Sequence, residues 1–142
     1  MAGIKPNLVE RYSNGQNVVS EGVLSSKCYV ILSGKVRVSK KKDNRTVTVA
    51  LLREGDTFGE MGLFQDTVRS ATATAVGDVE VGVIDKADFK KMLSACPDNM
   101  RYIVNSLVNR LRLTTNSLVA IGVQLEKAKK SLDPFALKDQ LH

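Results

Sequence analysis

Between residues 18 and 84 the apolar positions come in short β-rich runs separated by turn residues at close spacing. The runs lie at 18–19, 28–32, 35–39, 46–52, 70–76 and 79–84. The breaks fall at Glu21-Gly22, Ser33-Gly34, Asp43-Asn44, Gly55-Asp56 and Gly77-Asp78. Val36 and Val38, and then Val47, Val49 and Leu51, alternate with polar residues, as in a sheet buried on one face. Many short strands at this spacing predict an antiparallel sandwich or barrel. Upstream, residues 5–12 place Leu8, Val9 and Tyr12 on one side of about two helical turns, which Ser13-Asn14-Gly15 stops.

The period changes at Asp85. That residue is placed to cap a short helix with Asp88 in its first turn and Phe89, Met92 and Leu93 on its buried side. Pro97 suits the first position of a second helix, and Asp98 favours its positive end. No breaker follows until Asp133-Pro134, although Gly122 is an interior weak point. Along this helix Met100, Val104, Leu107, Leu111, Thr114, Leu118, Ile121, Leu125 and Ala128 recur in steps of four and three, which is a heptad seam. Ile103 and Val108 widen it on the side suited to packing on the β domain. A helix of some 30 residues is about 45 Å long and overhangs a small β domain, so the seam predicts a parallel homodimer. The alternative is one amphipathic helix lying on its own domain. The expected organisation is a β domain with flanking helices over 1–96, a long helix over 97–132 that serves as dimer seam, and a tail over 133–142. In the tail Phe135, Leu137 and Leu141 are apolar.

Composition removes several function classes. With 43% hydrophobic and 25% charged residues the chain is ordinary for a soluble globular protein. It has no apolar run of about 18 residues, so no membrane association is expected. Residues 1–7 lack the apolar segment of a signal peptide, and the expected location is the cytoplasm. Cys28 and Cys96 have no CxxC spacing and read as reduced core thiols. One histidine, His142, leaves a Ser/His or Cys/His nucleophile without a base and rules out a histidine-rich metal site. It likewise argues against a cupin-type β-barrel enzyme. No enzyme activity, catalytic residue, metal or resident cofactor is expected. The net charge of +6 has one dense run, Lys40-Lys41-Lys42, next to Asp43-Asn44. Without a nucleic-acid motif beside it, that run reads as a solvated hairpin tip.

Residues 55–72 carry the candidate chemistry. Glycines surround the carboxylate of Glu60, a short apolar turn follows, and then Arg69 stands beside a hydroxyl and small residues. Small residues let a backbone approach a ligand, a helix start offers N–H groups to an anion, and an arginine clamps it with two parallel hydrogen bonds. This reads as a phosphate pocket whose carboxylate reaches another group, such as a sugar hydroxyl. The bland alternative is a structural Arg69–Glu60 ion pair.

The order Gly55-Asp-Thr-Phe-Gly-Glu60-Met-Gly-Leu-Phe, followed by Arg69-Ser-Ala-Thr72, resembles the phosphate-binding cassette of cyclic nucleotide-binding domains. Tyr29-Val-Ile-Leu-Ser-Gly34-Lys-Val-Arg-Val38 resembles that family's strand–glycine–strand signature. The resemblance covers roughly residues 15 to 128, and from Arg69 onward it is similar to the sensor half of the bacterial catabolite activator protein family. It implies a mainly β fold with C-terminal helices: an antiparallel β-roll (double-stranded jelly roll), a short helix and a long dimerising helix, over 97–132, that is also the ligand lid.

The implied roles are as follows. Arg69 pairs with the cyclic phosphate, and Glu60 accepts from the ribose 2′-hydroxyl. Backbone amides of Gly59, Glu60, Ser70 and Ala71 contact phosphate and sugar, with Met61 beside them. Val38, Val49, Leu52 and Phe58 line base and sugar. Arg110 reaches the Glu60–ligand cluster from the long helix, and Thr114 and Thr115 meet the base. Thr114 and Thr115 lean toward adenine, so the expected ligand is cAMP, with cGMP the competitor because a hydroxyl such as that of Ser70 can contact guanine. The catabolite activator pattern continues into a helix-turn-helix domain, for which residues 131–142 are too short, so direct nucleic-acid binding is not expected. The remaining alternatives are the sensor half of a transcription regulator and a ligand-free dimerisation module.

Overall fold

The structure is a computed structural model that describes residues 8–64 and 68–140, with the backbone alone at 115, 116, 119 and 133–140. The chain divides into two compact units, Met1–Ala95 and Cys96–His142.

The first unit is an antiparallel sheet of six strands: β1 (Leu8–Tyr12), β2 (Asn17–Val19), β3 (Lys27–Lys42), β4 (Arg45–Leu52), β5 (Thr57–Phe58) and β6 (Thr72–Asp85). The order is β1-β6-β3-β4, with β2 paired to β6 and β5 to β3. A 3₁₀ turn, Glu60–Leu63, follows β5, and helix α1 (Lys86–Ser94) follows β6. The architecture is the predicted one, antiparallel β followed by helices.

Two long strands replace four of the expected short ones. Ser33-Gly34 and Gly77-Asp78 do not reverse the chain; they lie inside β3 and β6, where the register shifts between Ile31 and Ser33 and again between Ser33 and Lys35. Both glycines have positive φ, 91° at Gly34 and 72° at Gly77. The ladder buckles at this point instead of ending, as at a bulge. Asp43-Asn44 is a true two-residue hairpin, with φ of 53° and 63° joining Lys42 to Arg45. Positive φ at both central residues is the turn that matches strand twist, and Asp and Asn tolerate it.

Residues 8–12 are strand β1, paired from Leu8↔Val83 to Tyr12↔Val79, and not the expected helix. A five-residue apolar–polar run fits either period, and the free edge of β6 decides it. Residues 5–7 of that expectation lie outside the described residues.

Val30, Ile31, Val36, Val79 and Val81 are fully buried. Tyr29 stacks on Phe58 with ring centroids 5.1 Å apart. Val47, Val49 and Leu51 are 49–59% exposed, against the expectation from their alternation. Ala50 and Leu52 pair with Val38 and Val36 on the core side and Leu51 with Arg37 on the outer side, while Val47, opposite Lys40, lies beyond the last β3–β6 pair.

Asp85 caps α1 as expected, its Oδ1 accepting from the Asp88 N–H at 2.8 Å. Phe89 and Leu93 are half-buried, with Phe89 edge-on to Phe64, but Met92 is exposed.

The second unit is one helix, α2 (Asp98–Gln140), whose backbone stays helical past Pro134. Its seam is open: Met100, Leu107, Leu111, Leu118, Ile121 and Leu125 are 43–65% exposed. No described helix is long and apolar enough to cross a membrane.

Gly34 tests the buckle. A Cβ there would stand 2.4 Å from the Asp78 carbonyl oxygen at a φ of +91°, whereas one at Gly77 meets nothing within 4 Å. Gly34→Ala is expected to cost about 3 kcal/mol or more in urea unfolding, and Gly77→Ala about 1 kcal/mol. Equal losses would show that backbone conformation alone sets the cost.

Candidate functional site

Arg69 is the centre of the site. Its backbone is fixed by the Val23 carbonyl, which accepts its N–H at 2.9 Å, and by the Gly22 N–H, which donates to its carbonyl at 2.9 Å. The adjacent bridge Leu24↔Val68 holds the same crossing. The side chain is 8% exposed. Nη1 donates to the Gly59 carbonyl at 2.9 Å, and Nη2 donates to Ser25 Oγ at 3.0 Å and to the Lys27 carbonyl. Nε is buried with no hydrogen-bond partner among the described residues. None of these bonds goes to the Glu60 carboxylate, so they do not form the structural ion pair that was the bland alternative.

Two glycines make room for this guanidinium. Gly59, the N-cap of the 3₁₀ turn, has a φ of 76°. A Cβ on it would come 2.8 Å from Arg69 Nη1. A Cβ on Gly62 would come 2.8 Å from the Ser25 carbonyl and 3.2 Å from the same Nη1. The glycines predicted to admit a ligand therefore also seat the arginine.

Glu60 is exposed, Met61 half-buried, Ser70 exposed and Ala71 half-buried. These residues and Arg69 come from the two ends of the cassette; Gln65, Asp66 and Thr67 between them lie outside the described residues. Val38 and Leu52 are half-buried on the core side of the sheet, and Val49 is 59% exposed. Phe58 belongs to the core, 8% exposed against Tyr29, and is not open to a base. Arg110 and Thr114 are exposed residues of α2, in the second unit. The side chain of Thr115 lies outside those described.

Sequence reasoning missed Ser25 and Lys27, which hold the guanidinium. Nothing in Ser25-Ser26-Lys27 marks them, because their role comes from a strand brought in from 42 residues away. A cleft of about 460 Å³ opens there, lined by Val18, Val23, Leu24, Ser25, Lys27 and Arg69 among others.

Cys28 is buried near the same charges. Burial first, and then the Glu60 carboxylate, push its thiol from 9.0 up to about 11, with Arg69 opposing. Among the described residues no group of metal-ligating side chains occurs.

The family profile for the cyclic nucleotide-binding domain matches residues 9–96. The chain belongs to that family. It is 28% identical over 108 residues to a CRP-like cAMP-activated global transcriptional regulator of Mycobacterium tuberculosis, covering 75% of this chain and 48% of that protein. The chain thus spans about half the length of that curated relative. Among solved structures, the Thermus thermophilus catabolite activator protein superposes with a TM-score of 0.64 at 30% identity, over 81% of this chain and 55% of the other. An EAL enzyme in its halfsite-occupied form gives a TM-score of 0.72 at 28% identity, over 76% and 97%. The same enzyme has been solved in cAMP-bound and cGMP-bound forms.

The thiol gives a direct check. Because the folded state keeps Cys28 neutral, this group's contribution to stability is full below pH 9 and is lost as pH rises toward 11. At pH 8 Cys28 is expected to react with a disulfide reagent at least about tenfold more slowly in the native protein than in urea. Equal rates would contradict the burial.

Proposed function

We propose that this chain is a cyclic nucleotide sensor whose ligand is cAMP. The observation that carries the reading is Arg69: a buried guanidinium whose Nε has no hydrogen-bond partner among the described residues, seated on Gly59 at the start of the cassette turn. Leaving a buried donor without a partner is costly, and a phosphate oxygen is a partner of matching charge. In this reading Arg69 takes the cyclic phosphate through Nε, assisted by the backbone amides of Gly59, Ser70 and Ala71, and Glu60 accepts from the ribose 2′-hydroxyl. Met61, Val38, Val49 and Leu52 bound the sugar and base. Phe58 contributes by fixing β5 against Tyr29.

The protein acts as a cytoplasmic regulatory module and not as an enzyme. Signal output runs through α2, with Arg110, Thr114 and Thr115 as the residues that sense the bound base. The open seam of α2 supports a parallel homodimer, since a row of exposed Leu and Ile at heptad spacing gains most by meeting its own copy. A hydroxyl at seam position 114 is tolerated where it finds a partner. Ligand and helix arrangement are coupled because the ligand contacts one arrangement better than the other. On this division β1 to α1 bind and α2 transmits, its backbone running on to Gln140.

A second reading, cGMP as the ligand, is favoured by the exposed Ser70 hydroxyl beside Arg69 and by the cGMP-bound form of the similar EAL enzyme. Calorimetry with both nucleotides separates the two, and a tenfold preference corresponds to about 1.4 kcal/mol. Arg69→Ala is expected to weaken cAMP binding by about 100-fold or more, near 2.8 kcal/mol, with the fold retained by circular dichroism. No heat from either nucleotide with the wild-type protein would leave a ligand-free dimerisation module. Leu107→Glu with Leu118→Glu is expected to turn a sedimenting dimer into a monomer; a wild-type monomer with and without ligand would sink the seam.

A further inference from the structure

The positive charge of this protein is gathered on one hairpin. Residues 35–53 hold seven of the chain's 21 Lys and Arg but one of its 15 Asp and Glu; the rest carries 14 of each. The net charge of +6 thus equals the charge of this segment, the paired hairpin from Lys35 to Leu52 together with Arg53 just after β4.

Structure gives that charge a shape. β3 pairs with β6 as far as Ser39↔Thr72, and Lys40, Lys41 and Lys42 pair with β4 alone. The hairpin continues past the sheet as a two-stranded ribbon, and every residue from 40 to 49 is exposed. Residues paired across an antiparallel ladder share a face. Below the ribbon, Arg37 and Lys35 therefore stand on one face with Leu51 opposite Arg37 and with Thr74 and Val76 of β6. Lys41 and Thr46 continue this face along the ribbon, and a hydroxyl-lined cleft of about 570 Å³ adjoins it, bounded by Ser39, Lys41, Thr46, Thr72 and Thr74. Lys40, Lys42 and Arg45 occupy the ribbon's other face. Two carboxylates lie close: Asp43 in the turn, and Glu21, which accepts the Lys41 N–H at 3.2 Å.

We infer that this ribbon is a docking surface for duplex DNA, bound through its phosphate backbone. Lysines, arginines and hydroxyls are the groups that contact phosphodiester oxygens. A two-stranded ribbon fits the major groove of B-form DNA, and not the narrow major groove of A-form RNA. No aromatic residue lies between 35 and 53, so the stacking that holds single strands has no platform. The ribbon ends in Lys42-Asp43-Asn44-Arg45, with no apolar side chain at the tip to enter a membrane. This inference reverses the expectation from the lysine run by itself, which did not reveal the ribbon or the cations behind it. It is independent of the nucleotide site.

The test is fluorescence anisotropy of a labelled B-form duplex of about 20 base pairs, of mixed sequence, titrated with the full chain in about 50 mM salt. Binding is expected in the micromolar range. A Lys40→Gln, Lys41→Gln, Arg45→Gln variant is expected to bind at least about tenfold more weakly and to lose a slope of roughly 2–3 in log affinity against log salt. A variant with Lys127, Lys129 and Lys130 on α2 changed to Gln removes the same charge and is expected to bind nearly as wild type. Circular dichroism checks that each variant is folded. No wild-type binding, equal weakening by both variants, or ribbon-dependent binding to anionic phosphatidylserine vesicles without duplex binding would overturn the proposal.

Discussion

The Arg69 guanidinium is the interaction on which the rest of the first unit depends. Burying an unpaired cation is expensive, of the order of several kcal/mol, so the fold must supply acceptors around it. It does so with three acceptors from two separated places: Ser25 and Lys27 at the entry to β3, and Gly59 at the start of the 3₁₀ turn. Satisfying one side chain thereby ties the cassette to the central strand. Among the described residues Nε has no partner, so a tightly held group keeps a buried donor in reserve. A receptor for an anion needs this combination, since a preorganised cation loses little entropy when the ligand arrives.

Much of the scaffold was legible in the sequence because it is locally encoded. Alternation and β-branched runs located β3, β4 and β6, Asp85 announced its helix cap, and Asp43-Asn44 marked a hairpin whose φ values require such residues. The failures share one physical cause. Whether Gly34 ends a strand or buckles it depends on β6, more than 40 residues away, whose Asp78 carbonyl packs against it. Residues 8–12 are a strand because β6 has an edge to fill, and five residues carry too little periodicity to say so. Leu51 is exposed because it pairs with Arg37 on the outer side, and Val47 because the hairpin runs past the end of β6, and neither is announced by the sequence.

The candidate site divides along the same line. Glu60, Arg69 and the glycines were readable as anion chemistry because their spacing is local. Ser25 and the Lys27 carbonyl were not, because any serine or any backbone can serve once the strands meet. Phe58 was read as a lining residue from its place in the cassette, yet its ring completes the core with Tyr29. The seam of α2 was legible as a period, and its Leu and Ile side chains are exposed. The two units thus present different chemistry: a closed polar seat around one arginine, and an open apolar stripe.

The central claim is that Arg69 is the anion receptor. The most direct measurement is the Arg69 Nε–Hε resonance in a ¹H–¹⁵N spectrum followed through a cAMP titration. The account predicts that this signal shifts downfield and saturates with the calorimetric stoichiometry, as the buried donor gains a phosphate oxygen. A saturating titration that leaves the Arg69 signal unmoved while other residues shift would contradict it.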